Sequence, residues 1–493
     1  MPHSRRLPTP PLAAPRPRNN WSRLEQLVHA RAIQLDADAL ALLDASAPTK
    51  AAIDDSRLRA MFLGLAIGDA LGNTSEGLTP ADRQHRFGRI ETYRPHPRAN
   101  REPVGLPSDD TQLAAWTLEH LLHHHGLRPE ALSDTFAARR IFGIGKATAH
   151  FQEARRRGIP WHAAGQPSAG NGVLMRIAAA LPPHLVTGGR ALWADIALNA
   201  FVTHNDRLAI ASAIAFADLL RGLLAGERPT GPEWWLDRYL ALGRPLEGET
   251  RYTTRMSHGP FANWSGPAWR LVDEHVRAAV RSGQSVVEAQ DTWYSGAYLL
   301  ETIPTVLMIL ARHGDEPRAA IHAAVNFTRD NDTIAAIVGA AVGAAHGLQA
   351  LPEEWCDNLL GRTDVEDDGR WHELVEEVVG RFVWQRPRRG VPPDEHLPSA
   401  HLKPEHLPPP NASEGELVLF AHTFHGYTVH GGYKQCAALA SRGPGESLHT
   451  MRNWLFFRHR ELRHWGCGPS PEELRDFHRV IERMRTLLSH VPP

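Results

Sequence analysis

The sequence predicts an all-α main body that spans Asp54 to about Trp384. Apolar residues recur there at the spacing of a helix face. Two such sets are Leu113, Leu118, Leu121 and Leu122, and further on Leu208, Ile214, Leu219, Leu220 and Leu223. Few runs alternate between apolar and polar residues in the way that strands do. Hydrophobic residues make up 42% and charged residues 22% of the chain, a composition that builds a core and excludes disorder as the main state.

Composition divides the 493 residues into five segments. Residues 1–20 are rich in Pro and Arg, lack the apolar stretch of a secretory signal, and are predicted to be a disordered leader. Residues 21–53 carry two short helical patterns ahead of the main body, residues 54–384. Residues 385–413 are rich in Pro and His and are predicted to be a linker. Residues 414–493 regain apolar residues and are predicted to form a small C-terminal α+β domain of unknown role.

The C-terminal segment carries two helical signals. Ser470-Pro471-Glu472-Glu473 combines a proline in the first turn with a capping box, which predicts a helix start. The stretch 451–465 mixes aromatic residues with four arginines. That mixture suits contact with a nucleic acid, but the leucines of the same stretch also fit an ordinary helical core.

Charge and cysteine usage exclude several classes of protein. Lys and Arg number 54 against 55 Asp and Glu, and this balance argues against attraction of the whole surface to nucleic acid or anionic membrane. No stretch reaches the ~18 apolar residues of a membrane span. The three cysteines are far apart, so that neither a disulfide scaffold nor a zinc ribbon is expected. We therefore expect a cytoplasmic protein.

Two helices carry glycine at every fourth position. Gly64, Gly68 and Gly72 form one stripe, with Asp69 and Glu76 beside it, and Gly339, Gly343 and Gly347 form the other. Each glycine costs a helix ~1 kcal/mol relative to alanine, so something must approach these faces closely. Either another helix or a ligand fits that requirement.

Two helix starts are unusually rich in side-chain oxygen. They read Ser108-Asp109-Asp110-Thr111 and Asp330-Asn331-Asp332-Thr333. Capping of the free N–H groups is one explanation, but a cap needs a single acceptor. Hard cations such as Mg²⁺ bind six oxygen ligands, and two such clusters that meet in space would form a paired-metal site. A third stretch, Ser168-Ala169-Gly170-Asn171-Gly172 followed by Met175-Arg176, is either a plain turn or a loop that lies against a phosphate or ribose.

The order of these motifs resembles the ADP-ribosylglycohydrolase family. The resemblance covers roughly residues 54–380 and also includes Thr203-His204, Ser295-Gly296-Ala297-Tyr298 and Glu301-Thr302. Within the family the chain is similar to the bacterial enzymes that remove ADP-ribose from arginine, of the dinitrogenase reductase-activating glycohydrolase type. The resemblance implies a compact, orthogonal helical bundle and a hydrolase that reverses mono-ADP-ribosylation of a protein side chain, arginine being the expected one.

The resemblance also implies roles for individual residues. Two Mg²⁺ ions, for which Mn²⁺ is able to substitute, would be bound by Ser108, Asp109, Asp110, Asp330, Asp332 and Thr333. The proton would be handled by a carboxylate, and the candidates, which the sequence does not rank, are Glu76, Asp109 and Asp110. The ADP-ribose cleft would be lined by Asn171, Gly172, His204 and, near its entrance, Tyr298. A monomer that acts on an ADP-ribosylated protein is expected.

Departures from the family pattern leave the substrate open. Thr328-Arg329 stands where many relatives carry Gly-Gly, and the arginine would contact a phosphate, pair with Asp330 or narrow the cleft. Ser108 replaces a threonine, which keeps the oxygen. The alternatives are a hydrolase acting on ADP-ribosylated nucleic acid, a small metabolite or another side-chain linkage, and a relative that binds ADP-ribose without catalysis.

Overall fold

The computed structural model describes residues 19–95, 103–256, 259, 261–360, 370–384 and 471–489. Within these ranges the chain is helical, as predicted, and its only strands are β1 (Tyr252–Thr253) and β2 (Ser265–Gly266), which pair antiparallel. The leader up to residue 18, the linker and the C-terminal segment up to residue 470 lie outside the described residues, and so do the predictions made for them. No helix of the described part is both long and apolar enough to cross a membrane.

Twenty α-helices lie within the described residues. They are α1 (Asn20–His29), α2 (Ala37–Ala45), α3 (Asp55–Gly72), α4 (Pro80–Phe87), α5 (Asp109–His124), α6 (Pro129–Ala138), α7 (Lys146–Arg156), α8 (Trp161–Ala164), α9 (Ala191–Thr203), α10 (Arg207–Leu224), α11 (Trp234–Glu247), α12 (Ala268–Arg270), α13 (Arg277–Arg281), α14 (Val286–Trp293), α15 (Leu299–His313), α16 (Pro317–Phe327), α17 (Asn331–His346), α18 (Glu353–Asp357), α19 (Arg370–Val378) and α20 (Pro471–Ser489). A 3₁₀ helix, Asn171–Ala180, follows the small-residue loop.

Helices α3 and α17 form the centre of the bundle, and their glycines explain how closely they pack. A Cβ on Gly64 would lie 2.1 Å from the carbonyl oxygen of Gly339, and one on Gly72 would lie 2.4 Å from the Cα of Asp332. Tight helix packing is therefore the purpose of both stripes. Gly347 meets α3 more loosely, because the atom nearest to a Cβ there would be the hydroxyl oxygen of Ser56 at 3.2 Å. It follows the last helical residue and ends α17 with a φ of 80°.

The first helix extends the bundle. Trp21 of α1 is buried in the same core as α3 and α17, and Asn20 donates to Asp195 on α9 at 2.6 Å. Helices α1 and α2 are thus the two short helices expected before the main body. The helix predicted at Pro471 is confirmed as α20, which buries one apolar face formed by Phe477, Val480, Ile481 and Met484.

Candidate active site

Asp69, at the C-terminal end of α3, binds the start of α5. Its buried carboxylate accepts hydrogen bonds from the backbone N–H groups of Ser108 (2.8 and 2.9 Å) and Thr111 (3.0 Å). It also accepts the hydroxyl groups of both residues at 2.7 Å. Asp69 therefore caps α5 from a neighbouring helix, and Asp109 and Asp110 are not needed for that purpose. In the sequence Asp69 is visible only as a residue beside the glycine stripe, and it was not among the predicted site residues.

Close packing of α3 and α17 brings the two predicted acidic clusters together. Carboxylate oxygens of Asp69, Asp110 and Asp332 lie within 4.8 Å of one another, and so do those of Glu76, Asp330 and Asp332. Asp332 is common to both groups because Gly72 allows the start of α17 to lie directly against α3. Both oxygens of Asp69 already accept hydrogen bonds from α5 and its cap, and Oδ1 also accepts one from the Asn73 side chain at 3.4 Å, so the neighbours of Asp69 are the better candidates for binding a ligand.

The cluster carries more negative charge than the surrounding protein neutralises. Burial, followed by the charge of Asp69, raises the pKa of Asp109 and that of Asp110 well above the ordinary value, and burial followed by the charge of Glu76 does so for Asp332. Burial raises the pKa of Asp330 to about 7, although the hydrogen bond from Asn171 lowers it. Such a cluster is stable as carboxylates only if further positive charge is bound.

The available atoms fit a hard divalent cation. Oδ1 of Asp110 is buried and has no hydrogen-bond donor in the described part of the chain, which leaves it free to bind an ion. The Ser108 hydroxyl donates to Asp69 and keeps its lone pairs for a second partner. The side chains of the two acidic groups all offer oxygen as the ligand atom, the type that Mg²⁺ and Mn²⁺ prefer. The acidic cluster can therefore bind metal ions.

A cleft of about 590 Å³ opens over this cluster. This volume falls within the range of pockets for small ligands. Nine of the predicted site residues line it, namely Glu76, Asp109, Asn171, Gly172, His204, Tyr298, Asp330, Asp332 and Thr333. Ser108 and Asp110 do not reach the cleft wall and lie behind it. The loop at Gly143, Gly145 and Lys146 also lines the cleft, and so does Arg255; none of these residues was predicted for the site.

Asn171 connects the small-residue loop to the acidic cluster. Its side-chain NH₂ group donates to Asp330 at 2.5 Å and to the hydroxyl of Thr302 at 3.1 Å. Its backbone N–H donates to the carbonyl of Ala297. The loop is thereby fixed against the segment that carries Tyr298, and one oxygen of Asp330 is engaged from the cleft side.

Arg83 fixes the backbone around Glu76 and the start of α17. Its guanidinium group is completely buried and donates to Ser75 (3.0 Å to Oγ) and to the carbonyls of Leu78 and Thr328 (3.2 and 2.7 Å). Glu76 itself retains contact with solvent, yet the surrounding protein raises its pKa, and the charge of Asp69 raises it further. Glu76 is therefore held at the cleft as a carboxyl group that protonates more readily than an ordinary glutamate.

The rim of the cleft combines arginine and tyrosine. Arg255 forms a bidentate ion pair with the buried carboxylate of Glu301 (2.8 and 2.5 Å), and its guanidinium lies 5.5 Å from the ring centre of Tyr298. Arg329 stacks 4.4 Å from the ring centre of Tyr294. In the described part of the chain Arg329 does not line the cleft and forms no ion pair with Asp330. Two of its three expected effects, an ion pair with Asp330 and a narrower cleft, are therefore not observed.

The chain is similar to several known proteins. A family model described as ADP-ribosylglycohydrolase matches residues 50–387. The ADP-ribosylarginine hydrolase Tri1 of Pseudomonas putida is 27% identical over 339 residues, which cover 66% of this chain and 78% of that protein. ADP-ribosylhydrolase ARH3 of Xenopus tropicalis is 25% identical, covering 66% and 96%. The ADP-ribosyl-[dinitrogen reductase] glycohydrolase of Rhodospirillum rubrum is 24% identical, covering 60% and 88%.

A solved structure extends the likeness to the fold. The structure, described as an ADP-ribosylglycohydrolase-related protein complex, superimposes with a TM-score of 0.50 at 28% sequence identity. The match covers 66% of this chain and 97% of the solved chain. The predicted helical-bundle fold is confirmed by this likeness and by the helices described above.

Proposed function

Because this chain belongs to the ADP-ribosylglycohydrolase family, we propose that it removes ADP-ribose from a modified arginine side chain of a protein. The chain is an ADP-ribosylglycohydrolase, and the arginine linkage is the finer step of the proposal. The observation that carries it is the pair of acidic groups that share Asp332 at the floor of a ligand-sized cleft. The relative named ADP-ribosylarginine hydrolase supports the choice of arginine.

Two Mg²⁺ ions, or Mn²⁺ in their place, are the cofactors of this proposal. Their ligands would be Ser108, Asp109, Asp110, Asp330, Asp332 and Thr333. Bound ions would orient ribose hydroxyls and polarise the attacking water. The buried, unpartnered oxygen of Asp110 supports a metal there, and the position of Asp110 behind the cleft wall argues against a direct role for it in proton transfer.

We assign proton transfer during bond cleavage to the carboxyl group of Glu76, with that of Asp109 as the alternative. Cleavage breaks the bond from ribose C1 to the arginine nitrogen while an oxygen of water forms the new bond to C1. The water loses a proton to the carboxylate, and the departing guanidine nitrogen gains one. Glu76 lines the cleft, touches solvent and has a raised pKa, three properties that suit a group which gains and loses a proton in each cycle. Asp109 also lines the cleft but is buried.

Binding of the ADP-ribose moiety is assigned to Asn171, Gly172, His204 and Tyr298. All four line the cleft, and the backbone of the small-residue loop offers N–H groups to phosphate or ribose oxygens. The arginine and tyrosine rim favours a second candidate substrate, ADP-ribose attached to a nucleic acid, because tyrosine and arginine stack on bases. Linkage to another side chain or to a small metabolite is tested by the same experiment.

The test is release of ADP-ribose from a panel of substrates that carry arginine, serine, nucleic-acid or small-metabolite linkages, each with Mg²⁺ and with EDTA. We expect Mg²⁺-dependent release from the arginine substrate, and its loss in Glu76→Gln. A matched variant is Glu91→Gln, a surface carboxylate remote from the cleft lining, which should retain full activity. If ADP-ribose is released only from another linkage, that linkage and not arginine is the substrate. If the protein binds ADP-ribose in the presence of Mg²⁺ but releases it from no substrate, it is a binding protein.

A further inference from the structure

Arg176 lies beneath the floor of the cleft and donates hydrogen bonds in three directions. It is fully buried in the 3₁₀ helix Asn171–Ala180. One NH₂ group donates to the carbonyl of Gly172, and the other donates to the carbonyl of Asn199 at 3.0 Å and to the hydroxyl oxygen of Thr203 at 2.7 Å. A guanidinium group has no acceptor, so the Thr203 oxygen accepts in this bond.

The Thr203 hydroxyl determines where His204 carries its proton. Its oxygen also lies 2.8 Å from Nδ1 of His204. If Nδ1 carried the proton, the hydroxyl would accept two hydrogen bonds and its own hydrogen would have no acceptor among the described residues. A buried donor without an acceptor is unfavourable, because it has lost its hydrogen bond to water without gaining another. The hydroxyl therefore donates to Nδ1, and the imidazole proton lies on Nε2.

The Nε2 side of His204 faces the small-residue loop of the cleft. The imidazole ring lines the cleft, and Nε2 lies 3.3 Å from the point where a Cβ on Gly170 would be. Within the described part of the chain Nε2 has no acceptor. Burial, followed by the charge of Arg176, lowers the pKa of His204 to about 3, so the ring stays neutral across the physiological range.

We propose that Arg176 and Thr203 are positioning residues that keep the proton of His204 on Nε2, where it is donated to an oxygen of bound ADP-ribose. The proposal rests on the proposed function, because that function places ADP-ribose in this cleft. The relay has a fixed direction, since the guanidinium of Arg176 can only donate and thereby leaves the hydroxyl hydrogen of Thr203 for Nδ1 of His204. His204 consequently presents the same N–H to the ligand at every pH at which the enzyme works.

The experiment compares Thr203→Val with the matched variant Thr203→Ser. Valine has the shape of threonine without the hydroxyl, whereas serine keeps the hydroxyl. The tautomer is measured by ¹⁵N NMR of histidine-labelled full-length protein, with His204→Gln to identify the signals. Affinity for free ADP-ribose is measured by calorimetry in Mg²⁺. If the valine variant does not fold, Thr203→Cys, which offers only a weak donor, takes its place.

We expect the Nε2–H form in the wild type and in Thr203→Ser, and a mixture of tautomers with about three- to tenfold weaker ADP-ribose binding in Thr203→Val. An Nδ1–H form in the wild type would overturn the relay. An unchanged tautomer or an unchanged affinity in Thr203→Val would overturn the role of Thr203. Failure of the proposed function is separate, because it shows as absent release from the arginine substrate while the tautomer and ADP-ribose affinity remain as expected.

Discussion

Replacing Gly339 by alanine should separate the two central helices and weaken metal binding at the same time. The added Cβ would lie 2.0 Å from the carbonyl oxygen of Gly64, whereas ordinary contacts of a Cβ begin near 3.4 Å. The helices must therefore move apart by more than 1 Å, because a backbone oxygen cannot rotate away. Overpacking of this kind costs about 3 kcal/mol or more, and alanine returns ~1 kcal/mol through its helix propensity. We expect a net loss of about 2 kcal/mol or more in the free energy of unfolding.

The measurement is urea unfolding with and without Mg²⁺, and Gly380→Ala is the matched control. No described atom lies within 4 Å of the Cβ position on Gly380, so the same chemical change should be neutral or slightly stabilising there. The stabilisation by Mg²⁺ should also fall in Gly339→Ala, because Asp332 moves with α17. Gly339→Ala with wild-type stability and a wild-type response to Mg²⁺ would refute the argument that the glycine contact positions the site.

Three further predictions concern the charges of the site. Asp332→Asn should abolish release of ADP-ribose. Its melting temperature in EDTA should equal or exceed that of the wild type, because the substitution removes one of the charges that repel one another. A large drop in melting temperature would contradict this. The pKa of Asp330 is raised to about 7 in the folded state, so the folded state binds more protons than the unfolded one. The free energy of unfolding in EDTA should therefore fall as pH rises from about 4 to 7. Urea midpoints should show this fall, and a rise would refute it. Arg329→Gly should raise KM for the modified protein and leave the affinity for free ADP-ribose unchanged, because the guanidinium stacks on Tyr294 outside the cleft. Weaker ADP-ribose binding of this variant in calorimetry would instead assign Arg329 to the cleft.

Much of the fold was predictable because it depends on spacing along the chain. Helical periodicity and glycine repeats are local signals, and the helix starts at Asp109 and Asn331 are visible as polar clusters before apolar runs. The glycine stripes also showed that something approaches those faces. That the two stripes approach each other could not be deduced, because pairing of distant helices depends on three-dimensional packing.

The site was predictable in its residues but not in the division of their tasks. Asp69 has the same chemistry as Asp110, yet one caps a helix and the other keeps an unpaired oxygen. Only the position of each carboxylate relative to the N–H groups of α5 separates them. The relay through Thr203 was similarly hidden, since Arg176 and His204 are 28 residues apart in the sequence and meet through a hydroxyl.

The cap formed by Asp69 on α5 has a consequence for how the protein tolerates chelation. The carboxylate that shapes the start of α5 already accepts hydrogen bonds from Ser108 and Thr111, and a longer one from the Asn73 side chain. Withdrawal of ions would therefore leave the helix start in place, and reloading would not require refolding. Supply of divalent cations can then act as a reversible control on the enzyme, independent of how much folded protein is present.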